Sequence, residues 1–390
     1  MYPKVYLTVD NCFASKRWTD PGEWMQVVRD IGIRYVEASA DNECDPGYTT
    51  EAYRKDWVKE VQRASERTGV RVCTLYSGHG SYSTLGLTHT DERVRNYMVD
   101  TWIRSMCETA GALGAGLGFF CHAFSSAVLQ DPALYREYLE LLYVQLVRVA
   151  CYAEEYGCKC VGVENMYSPH QVPWTLDGTD ELLHRVNAES AFPFYISVDV
   201  GHQVGQQRFL MPTQEALEQA VRARRNGAPT PWLGIRQAYE LFDTAAVDQE
   251  HEQERLDAVF TLLKAYPYLF SNDKDTSTRN WIERFGRYSP IIHLQQTDGL
   301  NSSHLPFTPE MNETGIVQGD QILRWLHTSF SLSNESGMPP EAQEIFLTLE
   351  VFSKTTDTEA DIINRMEQSV AYWRRFIPQD GMGLEELLHN

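Results

Sequence analysis

Eight short apolar runs recur along the 390-residue chain, and most are followed by a long amphipathic stretch. They are Val5–Val9, Tyr35–Ala38, Val70–Tyr76, Gly116–His122, Cys160–Glu164, Phe194–Asp199, Ile291–Gln295 and Ile345–Val351. Runs this short, rich in β-branched and aromatic residues, suit strands buried on both faces, and so a parallel sheet covered by helices. Helical patterns fall between them at Pro21–Ile31, Thr50–Thr68, Asp91–Leu113, Asp131–Tyr156, Thr179–Asn187 and Asp357–Phe376. Asp20 before Pro21 reads as an N-cap with proline at the first helical position, and Gly69 and Gly157 close two of the helices. Strand–helix alternation with eight strands predicts the α/β class and a closed (β/α)₈ barrel, or TIM barrel. An open doubly wound sheet is the alternative. Against it, no G-x-G-x-x-G follows the first strand, since Gly114, Gly116 and Gly118 precede or enter a strand.

One interval breaks the rhythm. From Asp199 to Ile291 there are roughly ninety residues, about twice an ordinary barrel repeat. It carries helical patterns at Thr213–Arg225, Gln249–Tyr266 and Asn280–Phe285, with a turn at Asn226-Gly227-Ala228-Pro229. The expectation is a single barrel domain over residues 1–390, with a long helical insertion after strand six at residues 205–280, on the active-site face. The serine-rich run Ser329–Ser336 reads as a loop before strand eight.

Composition narrows the function. The formal charge of −20, spread along the chain, repels a phosphate backbone and argues against a nucleic-acid partner. No apolar run approaches the length of about 18 residues that a membrane span needs. Met1-Tyr2-Pro3-Lys4 runs directly into the first strand without a signal-peptide pattern. The eight cysteines mostly lie in apolar runs, where the free thiol acts as a small hydrophobe. These features make a cytoplasmic protein with reduced thiols the expectation.

The polar residues at the strand ends carry the chemistry, because barrel strands deliver their C-terminal side chains to one site. Here the runs close on Ser77-Gly78-His79, Cys121-His122, Val163-Glu164-Asn165, Val198-Asp199-Val200-Gly201-His202, Ile292-His293-Leu294-Gln295 and Leu349-Glu350-Val351. Strand cores disfavour carboxylates, and burying one unpaired is costly. A shared divalent cation would relieve Glu164, Asp199 and Glu350 together. Oxygen-rich donors joined by one imidazole suit Mn²⁺, with Mg²⁺ or Co²⁺ as alternatives, better than a structural zinc.

Val163-Glu164-Asn165, Val198-Asp199-x-x-His202, Ile292-His293-Leu294 and Leu349-Glu350 resemble the metal-site signature of the xylose-isomerase-like barrel superfamily, which includes sugar and sugar-phosphate isomerases and epimerases. The resemblance implies Glu164, Asp199, His293 and Glu350 as ligands of one divalent metal ion, and His202 as a substrate-orienting catalytic group. It also implies a homodimer or homotetramer. The segment Met166–Thr175 departs from the better-known epimerases and leaves the substrate open.

The chemistry implied is proton abstraction beside the carbonyl of a small ketose or ketose phosphate, with Glu164 and Glu350 as bases and a metal-stabilised enediolate. Candidate substrate contacts are His79, His122, Glu37, His304, Tyr167 and Trp174, with Phe13 a further aromatic candidate and Arg208 and Lys274 candidate phosphate contacts in the insertion. Dehydration or decarboxylation of a keto sugar acid at the same metal site is the second reading. A non-catalytic sugar-binding barrel is the third. Hydrolysis at abasic DNA fits the barrel but not the charge.

Overall fold

The computed structural model describes residues 2–39, 43–77, 86–121 and 123–389. Eight parallel strands close on themselves: β1 Lys4–Asp10, β2 Tyr35–Ser39, β3 Arg71–Ser77, β4 Gly116–Phe119, β5 Val161–Glu164, β6 Phe194–Asp199, β7 Ile291–Leu294 and β8 Glu344–Leu349. Each pairs with the next in sequence, and β1 pairs with both β2 and β8. The expected TIM barrel is therefore the fold. A short ninth strand, β9 Met382–Gly383, adds to β1 antiparallel and stands outside the ring.

Alternation sends aliphatic side chains outward to the helices, and toward the C-terminal ends of several strands it sends a polar set inward. On β2, Val36 and Ala38 are fully buried in the apolar core, while Glu37 between them lies at the barrel's polar centre. On β7, Ile292 and Leu294 flank His293 in the same way. Thr8 of β1 donates to Thr348 of β8 at 2.6 Å across this interior.

Strand limits match the apolar runs to within a few residues. The largest difference is β4, which ends at Phe119 because its pairing to β3 and β5 ends there, at Ser77 and Val163. Asp20, Thr50 and Asp131 cap their helices with side-chain acceptors, and Gly69 and Gly157 end theirs in the left-handed conformation. The Asp91–Leu113 pattern is helical throughout but loosens to a π-helix at Met98–Ile103.

Among the described residues, two helices of 12 and 13 residues go beyond the sequence reading. Gly319–Ser331 follows β7 and absorbs the start of the serine-rich run. Ser329 is fully buried there and its hydroxyl accepts from the Arg287 backbone N–H at 3.0 Å, so a polar residue serves as a core tie. Between β6 and β7, the helix Arg236–Val247 joins Gln214–Arg225, Glu252–Leu263 and Thr278–Phe285. Its buried face is Ala238, Phe242 and Ala245, a spacing too sparse in large apolar residues to stand out. Among the described residues no helix is long and apolar enough to cross a membrane.

Candidate active site

Strand register brings the site together. Asp199 at the end of β6 pairs directly with His293 on β7, and Asp10 at the end of β1 pairs with Glu37 on β2. Glu164 closes β5, and the Glu350 backbone N–H donates to the Leu294 carbonyl just past β8. Donor atoms of Glu164, Asp199, His293 and Glu350 lie within 4.8 Å of one another, and all four residues are buried. A second trio, Asp199, His202 and His304, shares Asp199 and meets the same limit.

Each member is held by its neighbours. The Asp199 Oδ1 accepts from the backbone N–H groups of Gly201 and His202 at 2.7 and 3.0 Å, and from Gln295 Nε2 at 2.8 Å. Gln295 reaches it because residue 201 is glycine: a Cβ there would stand 2.4 Å from the Gln295 side chain. Asn165 ties β5 to β6, its Oδ1 accepting from the Asp199 backbone N–H at 2.8 Å. Its carbonyl receives the His202 Nδ1 at 2.6 Å. A carbonyl only accepts, so His202 carries its proton on Nδ1 and keeps Nε2 for the site.

The His293 ring stands between carboxylates. Its Nδ1 is 2.7 Å from Glu164 Oε1 and 3.3 Å from Glu350 Oε2, while its Nε2 is 2.6 Å from Glu37 Oε1. Burial pulls the His293 pKa down, but Glu350, Glu37 and Glu164 outweigh it and hold the ring well above the usual histidine range. Burial raises Asp199 and Glu350, yet the surrounding imidazoles prevail and hold both carboxyls below their usual range. For Glu37 burial wins over His293 and the carboxyl is raised. His304, despite burial, is pushed up to about 9 by Glu350.

The donor set suits a divalent cation in charge and in donor type. Among the described residues, the ion-pair partners of Glu37, Glu164, Asp199 and Glu350 are all histidines. Among the described residues the buried Glu350 Oε2 meets only the ring nitrogens of His293 and His304, at 3.3 Å each, and completes no hydrogen bond with either. Four buried carboxylates with no lysine or arginine partner among the described residues leave negative charge that a dication would offset. A metal-bound histidine ordinarily donates its other ring N–H to a carboxylate, which is the relation of His293 to Glu37.

A cavity of about 390 Å³ opens over the cluster. Glu164 and Glu350 line it, as do His202, His304 and Tyr167, whereas Asp199 and His293 lie behind them, fully buried. His304 adopts a left-handed backbone, φ 47°, and its ring stacks on Phe352 at 3.9 Å. That conformation is costly for a residue with a side chain, and here it is maintained by the Gln296–Leu305 backbone pairing and by the His304 N–H donating to Gln295 at 2.7 Å.

The remaining candidates are placed differently. Glu37, expected to touch substrate, is fully buried beneath His293 and does not reach the cavity. Trp174 lines a separate cavity of about 480 Å³, together with Met211 and residues from Pro267 to Asp275 between β6 and β7. Phe13 is 1% exposed and packs in the core. Arg208 and Lys274 line neither this cavity nor the one beside Trp174. His79 and His122 lie outside the described residues.

Tyr76 was not anticipated. It lies on β3 just before the barrel rim, lines the cavity, and donates its hydroxyl to Glu164 Oε2. Burial raises the phenol pKa well above its usual value, so it remains a donor. Its inward parity with Thr74 was the available signal, but an aromatic at the end of an apolar run reads first as core.

Comparison with known proteins gives the family and the fold. The family model described as xylose isomerase-like TIM barrel matches residues 25–252. A D-erythrulose 1-phosphate 3-epimerase of Brucella abortus (strain 2308) is 22% identical over 361 residues, covering 92% of this chain and 91% of that protein. A crystal structure from Rhodospirillum rubrum named after xylose isomerase superposes with a TM-score of 0.65 at 16% identity, covering 95% of this chain and 99% of the other. An L-ribulose 3-epimerase superposes with a TM-score of 0.54 at 13% identity, covering 99% and 96% of the two chains.

Proposed function

Because this chain belongs to the xylose isomerase-like TIM-barrel family, we propose that it is a divalent-metal-dependent epimerase or isomerase of a small ketose or ketose phosphate. The observation that carries the reading is that Glu164 and Glu350 line one cavity directly above the buried cluster. The similarity to proteins named as 3-epimerases supports epimerisation in particular.

Glu164, Asp199, His293 and Glu350 are the residues that would hold the metal, with Mn²⁺ favoured and Mg²⁺ or Co²⁺ as alternatives for this oxygen-rich set. A cation there would polarise the substrate carbonyl and take up the charge that builds on its oxygen. The protein's own groups do the rest. One of the two cavity-lining glutamates removes the proton on the carbon beside the carbonyl. If the other returns a proton to the opposite face, the product is the epimer. If the proton is returned to the adjacent carbon, the product is the aldose or ketose isomer. Tyr76 orients Glu164 through its hydroxyl. His202 Nε2 is available to accept from a substrate hydroxyl, since Nδ1 is committed to Asn165. Tyr167, edge-on to His202 with ring centroids 4.8 Å apart, offers an apolar wall for the sugar.

The test is exchange of the substrate C–H with D₂O, measured by NMR over a panel of ketoses and ketose phosphates with Mn²⁺ supplied. Wild-type protein should exchange one hydrogen beside the carbonyl. Glu164→Gln and Glu350→Gln should each lose exchange while metal content is checked independently. Undiminished exchange in both variants, with metal bound, removes the glutamates from the base role.

A further inference from the structure

A second cavity, of about 610 Å³, abuts the one above the cluster, and Ser303, His304 and Phe352 line both. The two differ in charge. Among the described residues no lysine or arginine lines the cavity over the cluster. Its neighbour is lined by Lys354, on the loop after β8, and by Arg365, on the helix Glu359–Arg374 that follows. Lys16 and Arg17, on the segment after β1, stand beside the same loop, where Arg17 donates to the carbonyls of Lys354 and Asp357 at 2.9 and 2.7 Å. Among the described residues four cations, with three carboxylates (Glu310, Asp357 and Glu359), line this sector of the rim in a chain whose formal charge is −20.

Their commitments differ. Arg17 is occupied by backbone carbonyls, and Arg365 is paired with Asp357 at 2.7 Å. Lys354 is exposed, and its ammonium group makes no ion pair among the described residues. Glu310 is the one carboxylate lining the cavity among those residues. Between the two cavities stand the stacked rings of His304 and Phe352. A dianionic group attached to a sugar would be repelled by Glu164 and Glu350, and beyond that partition it would meet cations.

We infer that this second cavity is the subsite for the phosphate monoester of a phosphorylated ketose, with Lys354 and Arg365 as its cationic contacts and Ser303 and Ser353 as neutral donors. The inference rests on the proposed ketose chemistry of the neighbouring cavity. It makes the natural substrate a ketose phosphate. A fully ionised phosphate ester takes several charge-assisted hydrogen bonds at once, which suits two cations flanked by hydroxyls. A keto sugar acid would instead carry its charge beside the carbonyl, next to the carboxylates.

The experiment compares kcat/KM for a four- or five-carbon ketose phosphate with kcat/KM for the same ketose without phosphate. In Lys354→Ala this ratio should fall about tenfold, the loss of one charge-assisted contact. Arg365→Gln should lower it similarly, and Lys274→Ala, the same charge change in the insertion, should leave it unaltered. Binding of inorganic phosphate to the Mg²⁺-loaded protein, followed by equilibrium dialysis, reads the subsite without turnover and should weaken in Lys354→Ala. An unchanged ratio in Lys354→Ala, or equal phosphate binding by wild type and variant, overturns the subsite. Phosphate binding that depends on Lys354, in a protein that exchanges no substrate hydrogen, upholds the subsite and overturns the ketose reading instead.

Discussion

His293 Nε2 lies 2.6 Å from Glu37 Oε1, with both residues fully buried, so a carboxylate on β2 sets the ring orientation of a histidine on β7 across the barrel interior. The opposite ring nitrogen is thereby turned toward Glu164 and Glu350. Glu37 does not touch the cavity, yet it determines which face of the imidazole the cavity's carboxylates share.

Replacing Glu37 by Gln should therefore weaken metal binding without removing any proposed ligand. Loss of such an orienting partner typically costs about 10- to 100-fold in metal affinity. Competition titration of Mn²⁺ against a chelator measures the change, alongside circular dichroism to confirm folding. Wild-type affinity in Glu37→Gln would contradict the orienting role.

Tyr76→Phe removes the hydroxyl that Glu164 Oε2 accepts. A hydrogen bond to a charged group is worth about 1.5–3 kcal/mol, so kcat should fall on the order of tenfold to a hundredfold. Steady-state kinetics on the substrate identified by the exchange panel reads this directly. The metal content of the variant should stay at one ion per chain, which separates loss of a positioning contact from loss of the site.

Gly201→Ala places a Cβ 2.4 Å from the Gln295 side chain, which in turn holds Asp199. Gln295 must move, and Asp199 loses its side-chain donor. The expected result is a protein with lower metal affinity and stability reduced by about 1–3 kcal/mol, the usual range for overpacking. Chemical denaturation with and without Mn²⁺ measures both effects. Gln295→Ala added to Gly201→Ala should recover part of the stability, because the steric conflict disappears.

Glu43 gives a pH test remote from the cluster. It is buried, and it accepts from Asn11 Nδ2 at 2.6 Å and from the indoles of Trp24 and Trp57 at 2.9 Å each. Burial nevertheless prevails over these donors and pushes its carboxyl from 4.5 up to about 8. A raised carboxyl favours the protonated folded state, so its contribution to stability is fully present below pH 4.5 and is lost as pH rises through about 8. Unfolding free energy measured from pH 5 to 9 should decline across that window, and Glu43→Gln should flatten the decline. An equal slope in both proteins would count against the assignment.

The chain's order of strands and helices was legible because it is a local property. Buried parallel strands need unbroken apolar runs, helices need amphipathic ones, and Asp20, Thr50 and Asp131 announce helix starts through their own hydrogen-bonding chemistry. Glu164, Asp199 and Glu350 stood out for the same reason, since a carboxylate in such a run demands compensation, whereas His293 joined them only through the family resemblance; the four lie together in the fold. Helix Gly319–Ser331 was obscured because Ser329, a core residue in the fold, reads as loop when its partner Arg287 is unknown.

Contacts between distant strands could not be read locally. That Glu37 serves His293, that Tyr76 serves Glu164, and that Trp174 faces a different cavity from Tyr167 depend on barrel closure and strand register. Periodicity gives a residue's side of its own strand; only the closed ring decides which side chain from another strand it meets.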